Sequence, residues 1–118
     1  MQYMLLIYSN EADVAKHTAT EADAQAWMGA WFKYTDELKA SGKLVAGDAL
    51  QPTTTATSVR VRDGKTLSTD GPFAETKEQL GGYYLIDVAN LDEAIAWAAK
   101  IPSSPFGTVE VRPVMTFD

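Results

Sequence analysis

The residues Tyr3-Met4-Leu5-Leu6-Ile7-Tyr8 form a run that never alternates with polar residues, and Tyr83-Tyr84-Leu85-Ile86-Asp87-Val88 comes close to doing the same. Both are short and rich in β-formers, so each reads as a strand. A strand that is apolar on both sides has to be covered on both sides, which places it inside a sheet and not at its rim. What the rest of the chain can offer as cover therefore decides the architecture.

Helical patterning supplies one layer. From Thr20 to about Gly42, the residues Ala24, Trp27, Met28, Trp31, Thr35 and Leu38 recur at steps of three or four, with Phe32 and Tyr34 on the margins of an unusually aromatic face. Thr20 with Asp23, or Thr18 with Glu21, offers an N-terminal cap, and Gly42 a C-terminal stop. A second helix starts at the cap Asn90, has Glu93 at its third position, carries the stripe Ala94, Trp97, Ala98 and Ile101, and ends at Pro102.

The remaining segments read as extended structure. Lys43–Leu50 is a strand that breaks at Gln51-Pro52 into a Thr-rich connector. Thr57–Thr69 is a hairpin: Val59 and Val61 alternate with Ser58, Arg60 and Arg62, Asp63-Gly64 supplies a type I′ turn, and Lys65-Thr66-Leu67 returns. After the break Asp70-Gly71-Pro72, residues Phe73–Leu80 read as a polar loop or one helical turn. Thr108–Val114 alternates cleanly, and Pro113 puts that strand at an edge or ends it there.

The order strand, helix, strand, inserted hairpin, strand, helix, strand is that of a ferredoxin-like α+β domain, β-α-β-β-α-β, with an antiparallel sheet. At 118 residues the chain is long enough for one core and too short for two, so residues 1–118 form a single domain. Two helices cover only one face of the sheet. A second copy packed sheet against sheet in a two-fold homodimer is the expected cover for the other, the alternative being the hairpin folded back over it.

Composition narrows the chemistry. The chain has no cysteine and one histidine, which removes disulfides, thiolate catalysis, Fe–S clusters, Cys-ligated zinc and multi-His metal sites. A net charge of −6 argues against a nucleic-acid or anionic-membrane surface. No apolar run reaches the length of a membrane span, and the first residues lack the basic start of a signal peptide, so a cytoplasmic location is expected. Gly81-Gly82 lacks the strand–loop–helix setting of a phosphate loop, no nucleophile elbow is present, and no cofactor or metal is expected.

The segment Asp70-Gly71-Pro72-Phe73-Ala74-Glu75-Thr76-Lys77-Glu78-Gln79-Leu80-Gly81-Gly82-Tyr83 resembles the signature of the DGPF branch of the YCII-related family. Tyr3–Tyr8, Ala46-Gly47, Ala49–Pro52, Val59–Gly64 and Glu110–Pro113 resemble that branch in the same order, so the likeness spans essentially the whole chain. The resemblance implies a dimeric ferredoxin-like α/β barrel similar to muconolactone isomerase. It also implies a link of some members with extracytoplasmic-function sigma factors. The broader family is associated with a His–Asp acid/base pair, the Asp near the end of the second helix. Here that helix closes on Ala98-Ala99-Lys100-Ile101-Pro102 without an Asp, and the pair is not carried over.

Asp70 is the leading candidate for chemistry. Held by Gly71-Pro72 after a strand, it could project a carboxylate into an apolar cleft and move protons there as a general acid or base. Equally, an Asp before Gly-Pro can close an Asx-turn. His17 is the one side chain of a type whose unperturbed pKa lies near neutrality, and could shuttle protons or sit exposed in a loop. Arg60 and Arg62 share a strand face and could hold a ligand carboxylate, or face solvent, and Arg112 beside Glu110 has the same two readings. Phe73, Glu75 and Tyr83 complete the candidate ligand-binding set, with Lys77 and Glu78 beside Glu75 reading as solvated loop. Tyr83 and Tyr84 point to opposite faces, so one can enter a pocket while the other packs. Trp27, Trp31 and Trp97 could stack on a flat ligand, but helical spacing favours core or interface packing.

Three roles follow as expectations. One is a small-molecule binder, with cofactor-free isomerase- or lyase-type proton transfer by Asp70. Another is a regulatory module acting with a sigma factor through its acidic surface and the Asp70–Gly82 loop. The third is a structural or stress-associated oligomer without a ligand.

Overall fold

A computed structural model describes residues 1–117. The chain runs β1 (Gln2–Ser9), α1 (Glu11–Lys16), α2 (Glu21–Ala40), β2 (Leu44–Ala49), a 3-10 turn (Thr53–Thr55), β3 (Thr57–Arg62), β4 (Lys65–Asp70), β5 (Gln79–Asp87), α3 (Leu91–Ala99) and β6 (Thr108–Pro113). β2, β5, β1 and β6 lie side by side in that order with every neighbouring pair antiparallel, and β3 and β4 form a separate two-stranded sheet. This is the ferredoxin-like order with a hairpin inserted. The two strands without alternation, β1 and β5, occupy the two central positions, as their two-sided apolarity requires.

Alternation reappears as burial. Tyr3, Leu5 and Ile7 point under the helices and are buried, while Met4, Leu6 and Tyr8 point to the opposite face and stay half exposed. On β5, Ile86 joins the buried side, which Tyr34 and Leu38 of α2 and Ala94 and Ala98 of α3 complete. The other face sets Met4, Leu6 and Tyr8 against Leu85, Tyr83 and Leu80 in register. No part of the described chain forms a second layer there, and the molecule is only 19 Å thick against 48 Å in each other direction. The hairpin does not fold back over that face. Every residue of β3 and β4 is exposed except Ser58, and Val59, Val61 and Leu67 keep 62, 60 and 49% of their surface. The radius of gyration, 16.2 Å, exceeds the roughly 13.5 Å of a compact domain this long, as a flat layer with a projecting arm must.

Local signals operate as the sequence implies at most ends. Thr20 accepts from the Asp23 amide at 3.0 Å and Asn90 from the Glu93 amide at 2.9 Å. Asp63 and Gly64 both have positive φ, 52° and 73°, as a type I′ turn demands. Three elements differ from expectation. The residues after Ser9 form the short helix α1, capped by Asn10, whose side chain accepts from the Ala12 amide at 2.8 Å. β4 continues through Asp70, paired with Thr57. β5 starts at Gln79, so Leu80, Gly81 and Gly82 belong to the sheet, and a bulge between Ile7 and Tyr8 absorbs the change of register.

None of the described helices is long and apolar enough to cross a membrane.

Candidate functional site

Only Tyr34 and Leu38 of α2 are buried, both in its second half. The first half overhangs the sheet, and the gap beneath it is a cleft of about 560 Å³. Trp27, Met28, Trp31 and Thr35 form its roof. Ile7 and Ser9 of β1, the Gly47–Pro52 segment and Leu80–Tyr84 form its floor and side, Val14, Ala15 and Thr18 close one end, and Ser103 comes from the loop after α3.

Glycine lets the sheet approach the ligand space. The ring of Tyr84 lies across the bare Cα of Gly47, where an added Cβ would stand 2.7 Å from its Cδ1. At Gly82 an added Cβ would stand 2.8 Å from the Asp48 carbonyl oxygen. Tyr84 is thereby free to reach α2, where its hydroxyl and the Thr35 hydroxyl share a 2.7 Å hydrogen bond. Tyr34 sets its ring edge against Tyr84 at 5.3 Å and donates to the Trp97 carbonyl oxygen at 2.9 Å. Burial, then the neighbouring Tyr84, pushes the Tyr34 phenol well above its ordinary value, which keeps it a neutral strut behind the cleft.

Two polar features stand out. Ser103 is buried and its hydroxyl has no hydrogen-bond partner, although the residue lines the cleft wall. That hydroxyl is covered, an unpaired polar group packed behind the wall at a cost of roughly 1–3 kcal/mol. Glu11, also a lining residue, accepts from the Thr53 hydroxyl through Oε1, which ties α1 to the 3-10 turn. The lining contains no lysine, arginine or histidine.

The residues singled out from sequence mostly lie elsewhere. Asp70 is exposed at the base of the hairpin, outside the cleft; because β4 runs through it, the turn begins one residue later, at Gly71 with φ 100°. Gly71 is fixed through its own amide, which donates to Ala56 O at 2.7 Å. Arg60 and Arg62 are exposed on the free hairpin, and Phe73 keeps 81% of its surface. Glu75 borders a shallower depression with Asn10, Thr53, Pro72 and Lys77. Glu78 accepts from Thr108 at 2.8 Å, and the Gln79 side chain donates to Ala74 and Thr76 carbonyls, so this loop is a cross-braced connector. Arg112 pairs with Glu110 at 2.7 Å.

The adjacent tyrosines divide as their alternation implies, Tyr84 into the cleft and Tyr83 onto the open face. There Tyr83 donates to Asp48 at 2.7 Å, a bond that raises its phenol above the usual range. His17 caps the C-terminus of α1, exposed but stacked on Trp27 at 4.5 Å and Phe106 at 4.7 Å, behind the lining. Of the three tryptophans, Trp97 packs at the core margin under Lys100, while Trp27 and Trp31 line the cleft, edge to face at 5.7 Å. Sequence reasoning left Tyr84 open as the alternative to Tyr83, which it selected, and did not select Thr35, Ser103 or Glu11. The available signal was the wide aromatic face of α2, broader than a two-helix layer needs for packing alone.

Among the described residues no group of three or more His, Asp or Glu is placed to hold a metal. Fold and site together define a ferredoxin-like α+β domain with an aromatic cleft under its long helix. The chain belongs to the YCII-related domain family, whose model matches residues 1–118. It is 39% identical over 122 residues to an uncharacterized protein of Rhizobium meliloti (strain 1021), covering 99% of this chain and 94% of that one.

Proposed function

We propose that this protein binds a small ring-bearing organic molecule in the cleft between α2 and the sheet, working as a two-fold homodimer. The observation that carries the ligand reading is a cleft of about 560 Å³ roofed by Trp27 and Trp31, with the Thr35 and Tyr84 hydroxyls on its lining. Cavities of this size and lining are what small-molecule sites share, and a few placed polar groups set orientation. Thr35 and Tyr84 are such groups, each hydroxyl able to donate or accept toward a ligand beyond the bond they share. Proton transfer, if the bound molecule undergoes it, falls to groups that touch the cleft, Tyr84 and Glu11, and not to Asp70 on the hairpin.

The test uses the three indole N–H signals in a ¹⁵N NMR spectrum. Titration with neutral two-ring compounds such as 1-naphthalenemethanol should shift the Trp27 and Trp31 signals and leave Trp97 in place. Equal shifts at all three, or none at any concentration the compound allows, would remove the ligand reading.

A further inference from the structure

The charge of the lining carries the ligand class further. Of its side chains, only Glu11 and Asp48 are ionisable at neutral pH, and both are acids. Asp48 accepts from Tyr83 on the sheet's open face, which leaves Glu11 as the carboxylate that borders the cleft. Its bond to Thr53 uses Oε1. Around the mouth stand aromatic faces, with Phe32 63% exposed and Trp27 and Trp31 further in. Lys16 pairs with Asp13 at 3.4 Å, His17 stacks on Trp27 without lining the cleft, and Lys77 borders the neighbouring depression, which Glu11 also edges, outside the cleft lining.

A carboxylate entering this space would lose its water and meet no cation, and a buried unpaired charge is strongly disfavoured. An ammonium at the mouth would meet the Glu11 carboxylate and the negative faces of the aromatic rings, both of which attract it. We propose that the cleft selects a ring-bearing organic amine, with its cationic end at Glu11 and its ring under Trp27 and Trp31, and rejects ring-bearing carboxylates of the same size. This rests on the reading of the cleft as a ligand site and adds the sign of the ligand's charge.

Three probes of matched shape separate the two claims: 1-naphthylmethylamine, protonated at neutral pH, 1-naphthalenemethanol and 1-naphthoate, each titrated against the intact protein while the indole signals are followed. The amine should bind most tightly and the carboxylate at least about tenfold more weakly. Glu11→Gln should bring the amine to the affinity of the alcohol and leave the alcohol unchanged. A carboxylate that binds as well as the amine would overturn the charge assignment while keeping the ligand site, as would an amine preference that survives Glu11→Gln. Failure of all three probes to move Trp27 and Trp31 would instead overturn the site itself, and this inference with it. Because Glu11 also ties α1 to Thr53, Thr53→Val serves as the control. It breaks that tie without touching the carboxylate and should leave the amine preference intact.

Discussion

Gly47 and Gly82, which have no side chain, shape the cleft. At Gly47, a methyl group would have to displace the Tyr84 ring, and a ring pinned between Tyr34 and Thr35 has no easy retreat. Gly47→Ala should lower the unfolding free energy by about 1–3 kcal/mol in urea denaturation, the usual result of overpacking. The control is Gly29 on α2, where an added Cβ meets nothing within 4 Å; Gly29→Ala should raise stability by about 0.5–1 kcal/mol through helix propensity. Tyr34 makes the second prediction. Its folded-state value lies above its unfolded one, so above the unfolded value, about 10, the folded state holds more protons and stability falls with rising pH. The contribution is complete below pH about 10 and is lost as pH climbs toward the folded value. Tyr34→Phe should be less stable at neutral pH because it loses the bond to Trp97, yet show a shallower decline between about pH 10 and 11.5. Parallel declines in thermal scans across that range would contradict the assignment.

Elements were legible where a local rule and a global need agreed. Two-sided apolarity placed β1 and β5 at the centre, Asp63-Gly64 made the hairpin turn, and Asn90 capped α3. Legibility failed where a tertiary contact decides. α1 has only six residues and depends on the Asn10 cap and the Glu11–Thr53 tie. The strand is expected from Tyr83, yet β5 already includes Gly81 and Gly82, and at Gly82 the sheet needs bare backbone so that β2 can pass close. The candidate site failed for the same reason. Asp70-Gly71-Pro72-Phe73 is the most distinctive local sequence, but the position of a cleft depends on how far along α2 the sheet reaches. Nothing in the spacing of Trp27 and Trp31 distinguishes a roof from a core. The hairpin has the opposite character, locally specified and globally detached. Since Gly71 N donates to Ala56 O at 2.7 Å, its base is already closed. Replacing residues 58–69 by two glycines should leave the four-stranded sheet folded, with unfolding free energy changed by no more than about 1 kcal/mol. Loss of the indole dispersion or of the far-UV strand signal would show that the arm supports the fold.

At the scale of the molecule, the open face of the sheet poses the remaining problem. Met4, Leu6, Leu85, Tyr83, Tyr8 and Leu80 make a contiguous apolar stripe, bordered on β6 by the Arg112–Glu110 pair and on β2 by Asp48. Four strands about 4.8 Å apart and six to nine residues long present a projected face of roughly 20 by 25 Å, near 500 Å². A stable dimer buries about 800 Å² on each partner. The sheet is therefore the centre of such a contact, and groups now facing solvent are available to enlarge it. The hairpin, with Val59, Val61 and Leu67, and the tail beyond β6, with Met115 74% and Phe117 87% exposed, are the apolar surfaces available. Charge favours the same arrangement, because the arm carries Arg60, Arg62 and Lys65 in a chain of net charge −6. Sedimentation equilibrium should give a dimer at micromolar concentration. Leu85→Glu, which sets a carboxylate in the middle of the stripe, should yield a folded monomer, with dissociation raised at least about a hundredfold. The hairpin-deleted chain should dissociate about tenfold more readily than the intact one while remaining folded. A wild-type monomer at that concentration would remove the dimer. An intact dimer in Leu85→Glu would place its interface away from the sheet, on the hairpin or the tail.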